Sequence, residues 1–572
     1  MAEEFQVSGK NAAAPFTLKL HRGDGMSLIA MNWKTGKPPK DFVGFAIEYK
    51  EPNGDRFFPL KNRLAFPGTN GDVNPNKLST RLSPIQKFRW VHFPRFAELK
   101  GEFLYRVTPV FMNSADELSY GEPQEAAIEL RRETYPGKLN VTFTRGFVAS
   151  QAFVDRFESK GAISKLLPKN ADGGLKFVPT HPSAKEALAW MGFEARSAII
   201  EVLDEAIKDK KAQVRVVAYD LSEPGIVSRL EKLGKRLKVI IDNDGAHKKT
   251  TSGEAQSEKR LRKSAGAANV KRQHMGKLQH NKTIVVDGPK VQTVVCGSTN
   301  FTWRGFFVQS NNALILRGKK PVRLFTAAFD AYFQHDKPSD FGKSSAAQLT
   351  DIKLTAIDAH VGFSPYATKN SLLKKIADDI GKKTTSSLLY SLAFLYQTKG
   401  PIRDAIRKVT RSKNVFVYGI SDKKVGGIAL QKPDGNVAPV NPSALSKNIP
   451  EPFKKEPTGG GGNRMHHKFV VIDFDKPTAR VYMGSYNFSG AADSSNGENL
   501  LLIRDRRVAT SYAIEALRIF DHYHFRVAQR EAKKKGTKKL QLLRPPRKAG
   551  EKPWWNDDYT NKRRARDRVL FS

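Results

Sequence analysis

Two rhythms of apolar and polar positions divide the chain. Between residues 16 and 130, short β-rich runs (LIAMNW, FVGFAIEYK, FRWVHF, FLYRVTPVFM, AAIEL) are separated by Gly, Pro, Asn and Asp clusters such as EPNGD and FPGTNGDVNPN. Short strands punctuated by turn residues predict an all-β sandwich. After LRRETYPGK (130–138), which reads as a linker, strands and helices alternate. RSAIIEVLDEAIKDK and PGIVSRLEKLGKR have helical periodicity and are interleaved with the strand-like AQVRVVAYDL and LKVIIDN. The series returns as helix NSLLKKIADDIGKK, strand SSLLYSLAFLY, helix GPIRDAIRKVTR and strand NVFVYGIS. Such alternation implies an α/β fold, a mixed sheet with helices on both faces. Its recurrence implies two fused lobes related by a pseudo-two-fold. The expected domains are a β-sandwich at 1–135, lobes at 139–345 and 350–530, and a basic C-terminal tail at 531–572.

Each lobe carries the pattern His-x-Lys-x4-Asp on an apolar strand: His280, Lys282 and Asp287 in the first, His466, Lys468 and Asp473 in the second. The copies stand 186 residues apart (280 to 466). A second strand follows each and ends in a Gly-Ser-x-Asn turn, Gly297-Ser298-x-Asn300 and Gly484-Ser485-x-Asn487. The offset from turn Asn to a later Asn is 12 in both copies, Asn300 to Asn312 and Asn487 to Asn499. Shared offsets mark a duplicated structural unit. The copies differ at one place: Glu498 precedes the later Asn in the second, where Asn311 stands in the first.

These motifs and their trailing turns resemble the phospholipase D superfamily over about residues 140 to 530. The resemblance implies a phosphodiesterase acting through a phosphohistidine, with His280 the nucleophile and His466 the general acid and base. The residues alone permit that chemistry. A phosphodiester is anionic, so a catalyst must neutralise charge, supply a nucleophile and protonate a leaving group. Lys282 and Lys468 are cations able to bracket the phosphoryl oxygens, and Ser298, Asn300, Ser485 and Asn487 are expected to donate hydrogen bonds to them. Glu498 is the candidate for orienting a histidine, whereas Asp287 and Asp473 read as anchors of the motif strands. His467, next to His466, points to the opposite face of its strand. Trp33 and the late strand FLYRVTPV give the first domain a loose resemblance to fibronectin type III or immunoglobulin-like domains, with Phe103 standing where a tyrosine is usual.

Composition narrows the partners. Lys and Arg number 97 against 57 Asp and Glu, a net charge of +40, which calls for an anionic partner. Much of this charge lies in 247–277, just before the first motif, and in 529–548. Nucleic acid is therefore the expected substrate and a nuclease the leading reading. A phospholipase D acting on phospholipid headgroups, with acidic phospholipid as partner, is the alternative. A non-catalytic nucleic-acid-binding or scaffold protein is the third. The sandwich is expected to serve as a docking or spacer module for a protein partner, and one chain can complete its own site. A cation would be repelled by the motif lysines, and zinc-type ligand spacing is not evident, so no metal and no cofactor is expected. The single cysteine, Cys296, and the lack of a leader-like start or a spanning apolar run predict a cytoplasmic protein.

Two further stretches invite specific readings. Residues 244–277 and 431–464 look like polar insertions entering the site from either lobe. Gly459 to Gly462 in the second reads as a hinge, since the Lys-Ser/Thr of a phosphate loop is missing. In the tail, Trp554, Trp555 and Tyr559 stand among Arg and Lys, a pattern that either stacks bases or pins the tail to the catalytic lobes.

Overall fold

A computed structural model describes residues 5–68, 78–94, 96–97, 99–130, 133–146, 150–169, 172–395, 397–412, 414–421, 465–534 and 540–572. The second polar insertion, with Gly459 to Gly462, lies outside these residues. The chain forms two compact units, one of Met1–Arg132 and Thr510–Ser572, the other of Glu133–Ala429 and Pro439–Ala509. Among the described residues no helix is long and apolar enough to cross a membrane.

The first unit packs two antiparallel sheets. One orders Gln6–Ser8, Phe16–Arg22, Ser27–Trp33 and Arg89–His92; the other contains Phe58–Pro59, Phe42–Lys50, Glu102–Met112, Leu118–Tyr120 and Gln124–Glu129. Alternation drives the packing: Phe16, Leu18 and Leu20 turn inward while Thr17 is exposed. They share one core with Phe45, Ile47, Phe103 and Tyr105 of the facing sheet.

The tail belongs to this sandwich, which corrects its expected attachment to the catalytic lobes. Trp555 is buried in the sandwich core, and Trp554 and Tyr559 pack against it. The Trp554 indole donates to the Phe42 carbonyl at 3.0 Å, and its ring stacks on Phe88 at 5.2 Å. The buried Arg89 guanidinium joins Asp521 (2.6 Å) to Asp567 (2.7 Å), tying the long helix Arg506–Lys534 and the last helix Lys562–Phe571 to the same sheet. These aromatics pack on the sandwich, Trp555 buried and Trp554 and Tyr559 half-buried.

In the second unit, two seven-stranded mixed sheets share one order over six strands, the seventh lying at opposite edges. The first runs Leu139–Phe143, Asn312–Arg317, Gln292–Gly297, Lys282–Asp287, Gln213–Ala218, Leu237–Ile241, Val270–Arg272. The second runs Thr350–Asp351, Asp358–Ser364, Glu498–Arg504, Arg480–Gly484, Lys468–Ile472, Ser387–Leu392, Phe416–Ile420. The motif strand is central in both, where neighbours on each side hold it. Its register sets Ala218 opposite Lys282 and Leu392 opposite Lys468, so the residues just beyond those two strands arrive at the motif.

Residues 244–277 are not the featureless insertion that their polarity suggested. Ser252 caps a helix, Gly253–Ala265, by accepting from the Ala255 amide at 3.1 Å, and Val270–Arg272 then joins the sheet edge. The helix stays polar because only Gly253, Glu254, Ser257, Leu261 and Ala265 are buried.

Truncating Trp555 removes the largest side chain that the tail gives to the sandwich core. Trp555→Ala is expected to lower the first unit's stability by about 3–5 kcal/mol, read from urea unfolding followed by far-UV circular dichroism. A loss below about 1 kcal/mol would show that the tail is not part of this core.

Candidate active site

Both lobes direct their motifs to one place, and each motif is held by residues of the other lobe. His280 Nδ1 lies 2.7 Å from the Glu498 carboxylate, and His466 Nδ1 lies 2.9 Å from the Asn311 amide oxygen. The next residues repeat the exchange. Asn499 donates to the Asn281 side chain at 2.9 Å, and the Asn312 amide meets His467 Nδ1 at 3.3 Å. Backbone bonds close the seam: the His466 amide donates to the Ser310 carbonyl at 3.1 Å, and the Gly497 amide donates to the Leu278 carbonyl at 2.8 Å. The two catalytic-type rings face one another with centroids 6.4 Å apart, both nearly fully buried.

The acceptors fix the tautomers. Glu498 can only accept, so His280 carries its proton on Nδ1 and presents a free Nε2. Asn311 could in principle present either end, but its Nδ2 donates to the Gly305 carbonyl at 2.9 Å and its Oδ1 accepts from Ser298 Oγ at 2.9 Å. The oxygen therefore faces His466, whose Nδ1 donates. Each lysine folds back on its own histidine: Lys468 Nζ donates to the His466 carbonyl at 2.8 Å, and Lys282 Nζ donates to that of His280. Each also lies over an aromatic ring, Lys282 over Tyr219 at 4.7 Å and Lys468 over Phe394 at 5.3 Å.

Burial dominates the electrostatics. It pushes both imidazoles below their usual value, His466 far below, with Lys468 and Lys282 adding to the fall. For His280 the Glu498 carboxylate opposes the shift, and for His466 no carboxylate does so. Burial likewise lowers Lys282 to about 8, against the pull of Glu498 and Asp220. Lys468 falls well below its usual value, through burial and then the charge of Lys282. The site thus concentrates more positive charge than it stabilises, and an anion between the lysines would relieve it.

Asp287 and Asp473 do not reach the histidines. Asp287 is exposed at the far end of the strand that Lys282 begins, about 17 Å along it at 3.3 Å per residue. Asp473 is buried and accepts from the amides of Thr385 (2.9 Å), Ser386 (2.8 Å) and Ser387 (3.2 Å), so it fixes the start of the neighbouring strand. Each turn serine accepts from a backbone amide of the next strand: Ser298 Oγ from Asn312 (3.1 Å) and Ser485 Oγ from Asn499 (3.0 Å). Gly297 and Gly484, at φ 139° and 142°, permit this approach, because a Cβ there would strike the Asn312 or Asn499 carbonyl. Asn300 gives its Nδ2 to Asp220, while the Asn487 side-chain oxygen is buried without a partner.

Sequence reasoning missed Tyr219, Asp220, Asp242, His247 and Phe394. His247 sits between Asp220 (2.9 Å from Nε2) and Asp242 (2.7 Å from Nδ1). Burial alone would lower it, but hydrogen bonds to these two carboxylates hold it at about 11. The Tyr219 ring packs edge-on against both His247 (4.8 Å) and His280 (4.7 Å). The available signal was positional: Tyr-Asp directly follows the strand paired with the first motif, and Phe394 lies two residues beyond its counterpart.

A carboxylate partner favours an imidazolium, so exchanging the partners should move the two histidines in opposite directions. Glu498→Gln is expected to lower the His280 pKa, and Asn311→Asp to raise that of His466, each by about 1–3 pH units. Ring-proton NMR titration of the variants measures both. An unmoved His280 in Glu498→Gln would contradict the pairing.

Comparison with known proteins agrees with this duplicated architecture. The family described as cardiolipin synthase, PLD-like domain, matches residues 200–336 and 377–520. A phospholipase D of Rickettsia felis is 47% identical over 47 residues, 8% of this chain and 22% of that protein, and one of Rickettsia prowazekii is 47% identical over 47 residues, 8% and 21%. The chain thus spans about a fifth of the length of these curated relatives. The phosphatidylserine synthase of Haemophilus influenzae aligns with a TM-score of 0.38 at 13% identity, over 66% of this chain and 92% of that one. The chain therefore carries phospholipase D-like domains at residues 200–336 and 377–520, the two halves of the lobed unit.

Proposed function

We propose that the protein is a phosphodiesterase that works without a metal through a phosphohistidine, and that its substrate is nucleic acid. The carrying observation is the buried, edge-on pair His280 and His466, with ring centroids 6.4 Å apart and a lysine beside each. In the first step the bound phosphate anion offsets the lysines and lets His466 take up a proton on Nε2; His280 Nε2 then attacks phosphorus, the bond from phosphorus to the leaving oxygen breaks, and His466 gives that oxygen its Nε2 proton. Water then attacks phosphorus, His466 takes its proton, and the phosphorus–nitrogen bond breaks to restore His280. Glu498 pairs with the ring that becomes cationic on phosphorylation. Asn311 holds the ring that must give its proton away. Lys282 and Lys468 offset the charge on the phosphoryl oxygens, and the Asn487 amide nitrogen is assigned as a further donor to them.

Charge favours nucleic acid. In the segment that leads into the first motif, Lys248, Lys249, Lys259, Lys263 and Lys277 are exposed, in a chain of net charge +40. Among the described residues of the lobed unit, only Val178 and Leu349 are large exposed apolar side chains, a poor surface for entering a lipid interface. The second reading is hydrolysis or exchange of phospholipid headgroups. It rests on the name of the Rickettsia relatives, phospholipase D, and on the family description.

Assays on single-stranded DNA, duplex DNA, RNA and phosphatidylcholine vesicles separate these readings. Cleavage of a nucleic acid is expected in excess EDTA, falling more than about a thousandfold in His280→Ala or His466→Ala. Cleavage of the lipid alone would reject the substrate, and abolition by EDTA would reject the mechanism. Lys282 is cationic below about pH 8 and neutral above it, so kcat/KM should fall as pH rises through that value. In Lys282→Arg that limb should move beyond about pH 10. A limb that stays in place would assign it to another group.

A further inference from the structure

Beside the histidine pair, Asp220, His247 and Glu254 bring one ligand atom each to within 4.8 Å of one another, the one such group among the described residues. They come from three elements that the fold assembles: the end of the strand paired with the first motif, the turn Gly245–Lys248, and the first turn of the helix Gly253–Ala265. His247 Nε2 lies 2.9 Å from Asp220 Oδ1. Two ligands of a tetrahedral zinc, each about 2.1 Å from the metal, stand about 3.4 Å apart, so a small opening of this contact admits the ion. The rear of the imidazole is already braced. Its Nδ1 meets the fully buried Asp242 at 2.7 Å, and Asp242 is itself fixed by the amides of Gln279 (2.7 Å) and Asp244 (2.8 Å). That is the carboxylate–histidine–metal relation in which an outer carboxylate orients the ring and raises its basicity. Glu254 is buried, and its Oε1 is pinned by the Leu221 amide at 3.1 Å.

Asp220, Asp242 and Glu254 surround the imidazole, and the Lys282 ammonium is a second cation acting on Asp220 and Asp242. One further observation points to a ligand. At the cluster's edge, Asn300 donates its Nδ2 to Asp220, while the oxygen of the same buried amide has no hydrogen-bond partner.

We propose that Asp220, His247 and Glu254 form a zinc-binding site at the edge of the active site, with Asp242 as its outer-sphere support. Zinc takes the place of the proton on His247 Nε2, and the proton passes to solvent. Without metal, that proton keeps His247 bonded to Asp220, so the fold does not require the ion and the histidine pair works without it. The inference is independent of the phosphodiesterase reading, because binding is measured with no substrate present.

Equilibrium dialysis of the full chain against Zn2+, with zinc and protein both quantified, tests it. Wild type is expected to hold one zinc. His247→Ala and Glu254→Gln should weaken binding tenfold or more, and Asp242→Asn about 10–100-fold. His466→Ala should retain binding, which separates this site from the catalytic pair. Glu254→Gln keeps its shape, and thermal unfolding of each variant verifies the fold. No zinc on the wild type, or undiminished zinc in folded Glu254→Gln and His247→Ala, would overturn the site and leave an imidazolium held by aspartates only.

Discussion

The site depends on an exchange of partners between two copies of one structural unit. Glu498 and Asn499 of the second lobe clasp His280 and Asn281 of the first, while Asn311 and Asn312 of the first clasp His466 and His467 of the second. Neither lobe can orient its own histidine. Separated, each would expose a lysine, a histidine, one side-chain acceptor and one side-chain donor that are buried together here. Backbone bonds at Gly497 and His466 fix the seam, so the rings are positioned by strands rather than by long side chains. Such preorganisation costs no reorientation when a substrate arrives.

Burial gives the exchange its chemical force. In a dry site, charges act over low dielectric, so one carboxylate in place of one amide separates two otherwise equivalent histidines. The same burial lowers both lysines, each of which adds to the other's difficulty. A dianionic or monoanionic phosphoryl group is the natural resolution of that strain. On the flank, His247 between Asp220 and Asp242 shows the opposite regime, an imidazole stabilised as a cation by carboxylates.

Much of this was legible in the sequence. The duplicated motif strands, the lobed α/β fold and the sandwich follow from periodicities of two and 3.6 that the structure reproduces. The substitution of Asn311 for an acid was visible too, but not which histidine it touches, because the contact spans 155 residues and depends on how the lobes meet. The partners of the turn serines were hidden for a related reason. Spacing located the serines at the site, whereas their direction is set by the amides of Asn312 and Asn499 on the next strand. The tail shows the limits of composition: Trp554 and Trp555 sit among basic residues in sequence but among Phe42, Phe45 and Phe88 in space. The cluster around His247 escaped notice because its members are scattered from 220 to 254, without ligand-like spacing.

The unequal histidines carry the account, and rapid quenching addresses them directly. Wild-type protein is mixed with a phosphodiester labelled at phosphorus, quenched in alkali during turnover, and digested for mass spectrometry. The label should appear on the peptide containing His280, whose ring is paired with Glu498. Label on the His466 peptide, or no phosphohistidine during active turnover, would contradict it.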